Sequence, residues 1–171
     1  MTSPKKTPTV KLRPEDYSIQ LAQVAHVPLI IDSWASDQMV NGVYGLVDRD
    51  IFRVEVRARI LRLISSCRCA AIVPTAAYTA KQPVPPPASE LFGWACYGWD
   101  KASEKPVLHY VYIRQDYRNN GLARRLLKEA VAVSPERPGW ASFIIPWHRK
   151  TARRYGLVYN PFLHDYRPGK K

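Results

Sequence analysis

The 171-residue sequence predicts an α/β domain of the α+β kind, a sheet with helices packed on it, and three stretches carry that prediction. Val107 to Ile113 is a run of β-branched and aromatic residues with little polar interruption, as a buried strand requires. It leads through the polar turn Tyr117 to Asn120 into an amphipathic helix opened by Gly121, with Leu122, Leu126 and Leu127 on one face. Upstream, Cys67 to Pro74 and Leu91 to Trp99 are strand-like runs that fit an antiparallel meander feeding the Val107 strand. Hydrophobic content of 46%, with five tryptophans and ten tyrosines, is that of a folded globule, and the length suits one core.

Taken in order, residues 1–14 hold three prolines and four basic residues, which predicts a flexible basic arm ahead of a single domain over residues 15–171. Tyr17 to Val27 alternates imperfectly and reads as a first strand, with Pro28 closing it or starting a short helix from Leu29 to Ser36. Gly42 and Gly45 flank Tyr44 in a loop. Asp48 to Ser66 is a long helical pattern whose first-turn carboxylates, Asp48 and Asp50, suit the helix dipole. Its apolar stripe is read as Ile51, Val54, Ala58 and Leu61, widened by Phe52, Ile60 and Ile64. Arg53, Arg57, Arg59 and Arg62 form the solvated side. Tyr78 to Ser89, with Pro83, Pro85, Pro86 and Pro87, sustains neither strand nor helix and links two adjacent strands. After the Leu-rich helix, Pro135 and Pro138-Gly139 break the chain. Trp140 to Pro146 is a fifth strand, Arg149 to Tyr155 a short basic helix, and Leu157 to Leu163 a last strand.

A strand, a glycine-bearing turn and a helix start make an anion cradle. The N–H groups of Asn119 to Ala123 are the unpaired donors of a helix start, and the dipole favours negative charge there. Gly121, lacking a Cβ, lets a phosphate sit against the backbone.

The order Arg118-Asn119-Asn120-Gly121-Leu122-Ala123, between an apolar strand and a Leu-rich helix, resembles the acetyl-CoA signature of the GCN5-related N-acetyltransferase (GNAT) family, Gln/Arg-x-x-Gly-x-Gly/Ala. Val111-Tyr112-Ile113 and Gln115-Asp116-Tyr117-Arg118 resemble that family's strand-to-loop segment. The wider pattern runs from Tyr17 to Leu163, but only some two dozen residues are specific. The resemblance implies a mixed, mostly antiparallel sheet of six to seven strands, splayed between strands four and five, with the cofactor in the gap. It also implies transfer from acetyl-CoA to an amine by direct attack in a ternary complex. Arg118 to Ala123, with Arg124 and Arg125, would hold the CoA phosphates, and backbone groups at Val111 and Ile113 the pantetheine arm. An open strand edge carries unpaired N–H and C=O groups that match pantetheine's amides.

Two departures stand out. The family's glutamate falls here on Val107, so the proton acceptor implied is His109, two residues on, where the arylalkylamine N-acetyltransferases have a histidine. The family's tyrosine acid lies four residues before a Gly-Phe pair, and that count reaches Ala152, which leaves Tyr155 as the candidate. Trp34, Tyr44 and the segment around Tyr159 fall where the amine pocket is built, while His26, His148 and His164 have no partner that singles them out. The alternative is a non-catalytic basic binding module of the same fold, partnered by nucleic acid or an acidic protein.

Twenty-six Lys and Arg against fourteen Asp and Glu give a formal charge of +12, which draws in phosphate-bearing or acidic substrates; small-molecule and macromolecular amines both stay open. Cys67, Cys69 and Cys96 read as reduced thiols, and no His/Cys set has zinc-ligand spacing, so no metal is expected. No apolar run is long enough to span a bilayer, so no membrane partner is expected. The start lacks the apolar core of a secretion signal, which makes the expected location cytoplasmic.

Overall fold

The computed structural model of the chain describes residues 10–41, 47–84, 86–87, 89–100, 105–132, 139–142, 153 and 156–160. Six strands lie in one sheet in chain order: β1 (Tyr17–Leu21), β2 (Arg68–Pro74), β3 (Gly93–Asp100), β4 (Lys105–Ile113), β5 (Trp140–Ala141) and β6 (Val158–Tyr159). The first four are antiparallel to their neighbours, whereas β4–β5 and β5–β6 are parallel. This is the mixed, mostly antiparallel sheet that the family resemblance implies.

Helices cover both faces. On one face lie α1 (Val27–Asn41) and α2 (Arg49–Ser66), which bury Ile30, Trp34, Phe52, Val56, Ile60 and Leu63 against Ala71, Trp94, Cys96 and Tyr110 of the sheet. Trp34 stacks on Tyr110 at 5.1 Å and tilts against Trp94 at 5.3 Å. On the other face α4 (Leu122–Ala132) presents Leu122, Leu126 and Leu127, the three leucines grouped by helical spacing, to Tyr17, Ile72, Phe92, Tyr97 and Leu108.

Several elements differ from the sequence reading. The first strand stops at Leu21, and a 3-10 turn over Val24–His26 passes into α1 at Val27. Pro28 sits in the first turn, where its missing N–H has no intrahelical acceptor to lose, and the helix runs on to Asn41. In α2 Asp48 is the N-cap, its carboxylate accepting from the Asp50 and Ile51 N–H groups at 2.9 and 3.2 Å. The stripe it buries is Phe52, Val56, Ile60 and Leu63, not the one centred on Ile51, Val54, Ala58 and Leu61. Ile51, Val54 and Leu61 are 59%, 67% and 47% exposed. Both sets follow helical spacing, and the one holding the aromatic ring fills the space under α1. The proline-rich link begins with a one-turn helix, α3 (Ala76–Thr79), which buries Tyr78 and hydrogen-bonds its hydroxyl to that of Tyr117 at 3.1 Å.

One irregularity in the sheet positions the site. The β3–β4 register pairs Cys96 with Tyr110 and Tyr97 with Leu108, so His109 is the extra residue of a β-bulge. Leu108 therefore belongs to the α4-side core and Tyr110 to the α1/α2-side core, although residues two apart in a regular strand share a face. Among the described residues β5 meets β4 at Val107 and Leu108, with the Ser142 N–H donating to the Leu108 carbonyl at 3.1 Å. β4 itself continues to Ile113.

Candidate active site

Beyond the bulge, β4 turns its backbone outward. The Arg114 N–H donates to the Phe92 carbonyl at 3.0 Å, which makes Gly93–Ile113 and Ala95–Val111 the non-hydrogen-bonded pairs of the ladder. The N–H and C=O of Val111 and Ile113 consequently point away from β3, toward the side on which β5 lies. The Arg118 Nε donates to the Ile113 carbonyl at 3.1 Å, in agreement with that direction.

A 3-10 turn over Gln115–Tyr117 then leads into the bend. Asn119 (φ 65°) and Gly121 (φ 72°) both adopt left-handed backbone, which Gly takes freely and Asn tolerates. Among the described residues, chain neighbours aside, no atom lies within 4 Å of where a Gly121 Cβ would stand, so this face of the bend is open to them. The first bond of α4 runs from the Arg125 N–H to the Gly121 carbonyl at 3.2 Å. Leu122, Ala123 and Arg124 are therefore its first three residues, and their N–H groups have no intrahelical acceptor. Arg118 and Arg124 are exposed beside them, while the Arg125 guanidinium lies 5.2 Å over the Tyr17 ring. Open left-handed backbone, unpaired amides and flanking arginines fit a diphosphate.

Asn120 has a different part from its neighbours. Its carboxamide donates to the Val10 and Tyr117 carbonyls at 2.7 and 3.0 Å and accepts from the Leu12 N–H at 3.0 Å. The Val10 N–H in turn donates to the Asp116 carbonyl at 2.7 Å. From Val10 onward, the arm read as flexible is thus fastened to the bend.

His109 is only 4% exposed and faces the α1/α2 side. Its Nδ1 is 2.8 Å from the Ser142 hydroxyl on the segment leaving β5. Its Nε2 lies 3.4 Å from the point that a Gly98 Cβ would occupy, and the Cys67 Sγ lies 2.9 Å from the same point. The Cys96 thiol, the His109 imidazole and the Ser66 hydroxyl (3.7 Å) bring the Cys67 thiol down to about 4 against the opposing effect of burial. Burial, then the neighbouring thiols, pushes Cys96 well up. The adjacent Tyr110 directs its hydroxyl to Asp37, and burial together with that carboxylate raises it far above the ordinary phenol range.

Sequence reasoning singled out His109 but missed Cys67, Gly98 and Ser142 around it. The three cysteines carried no motif, and the bulge that turns the imidazole toward Cys67 depends on a cross-strand register. Trp34 is a core residue, and Tyr159 is half exposed on β6. His26 is buried and accepts the Gln23 N–H on Nδ1 at 3.0 Å, a turn-capping role. Tyr155, Tyr44, His148, His164 and, apart from Arg153, the basic helix expected over residues 149–155 lie outside the described residues. Among the described residues no three His, Cys, Asp or Glu side chains converge as a metal site, and no helix is long and apolar enough to cross a membrane.

Comparison with known proteins bears on the fold that carries this geometry. Residues 77–155, just under half of the chain, match the model of the acetyltransferase (GNAT) family. Among curated proteins no relative matches. A predicted acetyltransferase with acetyl-CoA from Clostridium acetobutylicum superposes with a TM-score of 0.54 at 12% identity, over 91% of this chain and 96% of that one. A possible acetyltransferase from Clostridium difficile 630 gives 0.51 at 13% identity, over 91% and 94%. At such identities the likeness is one of fold. Residues 77–155 match the acetyltransferase (GNAT) family, in a chain whose fold is that of these acetyltransferase structures.

Proposed function

We propose that the protein is an acyl-CoA-dependent N-acyltransferase that moves an acetyl group from acetyl-CoA to an amine by direct attack in a ternary complex. The observation that carries this reading is the continuity of the open bend at Asn119–Arg124 with the outward backbone edge at Val111 and Ile113. The amides of Gly121, Leu122 and Ala123, with Arg118 and Arg124, would hold the diphosphate. The backbone groups of Val111 and Ile113 would hold the pantetheine arm. Acetyl-CoA supplies the activated acyl group. The chain's part is to bind it, to place the amine and to move protons. His109, its Nδ1 held by Ser142, takes up the proton that the amine loses, and Tyr155 is our candidate to protonate the departing thiolate. The +12 charge favours an acceptor that carries phosphate or acidic groups, and the free thiols accord with a cytoplasmic location.

Calorimetry with acetyl-CoA tests the reading. Gly121→Glu should abolish binding while the variant stays folded, because it places a carboxylate where phosphate would sit. Gly121→Ala carries the same left-handed strain without the charge and should retain part of the affinity. Equal affinity of the Glu variant and the parent would overturn the cradle. His109→Ala should lower the transfer rate chiefly below the amine's own pKa, and a rate ratio flat across pH would remove its role as base.

The burial of His109 behind Cys67 and Ser142 favours a second reading, a binding module that holds CoA without turnover. Tight acetyl-CoA binding with no thiol release against a panel of amines would select it.

A further inference from the structure

Three thiols gather at the end of α2, and they are not equivalent. Cys69 and Cys96 are buried and face each other across β2 and β3. Cys67 caps α2, its N–H donating to the Leu63 carbonyl at 2.8 Å, and it is partly exposed. Its Sγ and the His109 Nε2 flank one spot, the missing Cβ of Gly98. At 2.9 Å from Sγ, a real Cβ there would overlap the sulfur. The glycine thus lets a thiol and an imidazole face each other, with the far ring nitrogen fixed by Ser142. This is the arrangement of a nucleophile, a base and a group that orients the base.

We propose that Cys67 is a thiol-modification site that takes a low-molecular-weight disulfide of the glutathione class, and that the resulting mixed disulfide stops acyl transfer by displacing His109. The second half of the proposal rests on the acyltransferase reading; the first half does not. In the step, the Cys67 thiolate attacks one sulfur of the small disulfide. The new S–S bond forms as the old one breaks, and the other half leaves as a thiolate that takes a proton from solvent. The Cys67 sulfur is oxidised and the leaving thiol reduced, and excess small thiol reverses the exchange. Selectivity follows from access, since Cys69 and Cys96 are buried residues and Cys67 is partly exposed. The inhibitory effect would come from crowding: Sγ and the imidazole edge already flank the Gly98 spot at 2.9 and 3.4 Å, so a substituent that turns inward displaces the ring. The groups facing the thiol are Cys96 from β3, His109 from β4 and Ser66 from its own helix. The carbonyl end of α2 pulls against a thiolate, which makes a pH profile a necessary arm of the test.

The full chain is incubated with oxidised glutathione and mapped by peptide mass. One adduct is expected, at Cys67, removable by dithiothreitol, with transfer falling in step with its stoichiometry. Cys67→Ser should take no adduct, and the transfer it retains should be indifferent to oxidised glutathione. Alkylation of Cys67 by iodoacetamide should stay nearly level from pH 5 to pH 8, about tenfold faster than a solvent thiol at the acid end and no faster at the alkaline end, because a low-pKa thiolate is also a weaker nucleophile. His109→Gln should steepen that profile. Displacement of the ring is read separately from the imidazole NMR signals of His109, which should move on adduct formation. An unmodified Cys67 in the folded chain, an adduct with full transfer or an unmoved imidazole, or equal inhibition of Cys67→Ser would each overturn the proposal. The adduct, alkylation and NMR arms use no acetyl-CoA. Failure of acetyl-CoA to bind would therefore remove the acyltransferase reading and leave these arms to decide the thiol site.

Discussion

Gly121 and Gly98 are both needed as glycine, for unlike reasons. Gly121 has open space around it and a backbone angle of +72° that other residues adopt only with strain. Gly98 is not in that region, and what forbids a side chain there is the sulfur and imidazole pressed against it. Asp16 shows how a single group links pH to stability. Its carboxylate receives the Lys81 ammonium at 2.5 Å and the Arg13 N–H at 2.8 Å, and these bonds hold it below the usual carboxylate range. A depressed folded-state pKa stabilises the fold above the unfolded value, and the gain is lost as pH falls through the folded one. Asp16→Asn should therefore lower the melting temperature at pH 7, and the gap from the parent should narrow as pH drops below about 4. Thermal melts of both proteins across pH 2 to 7 check this; a gap that stays constant would show the pair to be idle.

Among the elements, α4 and α2 mark where sequence patterning is and is not sufficient. In α4 the apolar residues fall on one side and charged residues fill the rest, so Leu122, Leu126 and Leu127 could point only one way. In α2 two apolar sets interleave, and periodicity alone does not say which one meets the sheet. Packing decides it: Phe52, Val56, Ile60 and Leu63 are buried, and the arginines beside the other set hold surface pairs such as Arg57–Asp32 and Arg53–Asp50. Urea unfolding separates the two sets. Ile60→Ala should cost about 2–5 kcal/mol, whereas Ile51→Lys and Leu61→Lys should stay within about 0.5 kcal/mol. Asp48→Ala should cost about 1 kcal/mol through loss of the N-cap. A large loss from Ile51→Lys would mean that the outer stripe is covered in solution.

At the scale of the whole molecule, the antiparallel meander up to β4 and the bend were legible because they rest on local signals (apolar runs, a glycine, a helix start), whereas the mixed sheet was implied only by the family resemblance. The surroundings of His109 were not legible, because they depend on how β3 and β4 slide past each other, and one bulged residue reverses which face the following side chains meet. Charge acts at this scale too. With +12 overall and arginines beside the bend, acetyl-CoA affinity should fall several-fold between low and high salt, while the melting temperature barely moves. Calorimetry at two ionic strengths measures the first and a thermal melt the second; affinity indifferent to salt would argue against phosphate contacts.

The carboxamide of Asn120 stitches Val10 and Leu12 to the loop that also carries Gly121. Whatever is trimmed from, or fused to, the amino end is consequently connected to that loop through the Asn120 carboxamide and the bond from the Val10 N–H to the Asp116 carbonyl. An affinity tag fused there should be removed before the binding proposed for this loop is measured.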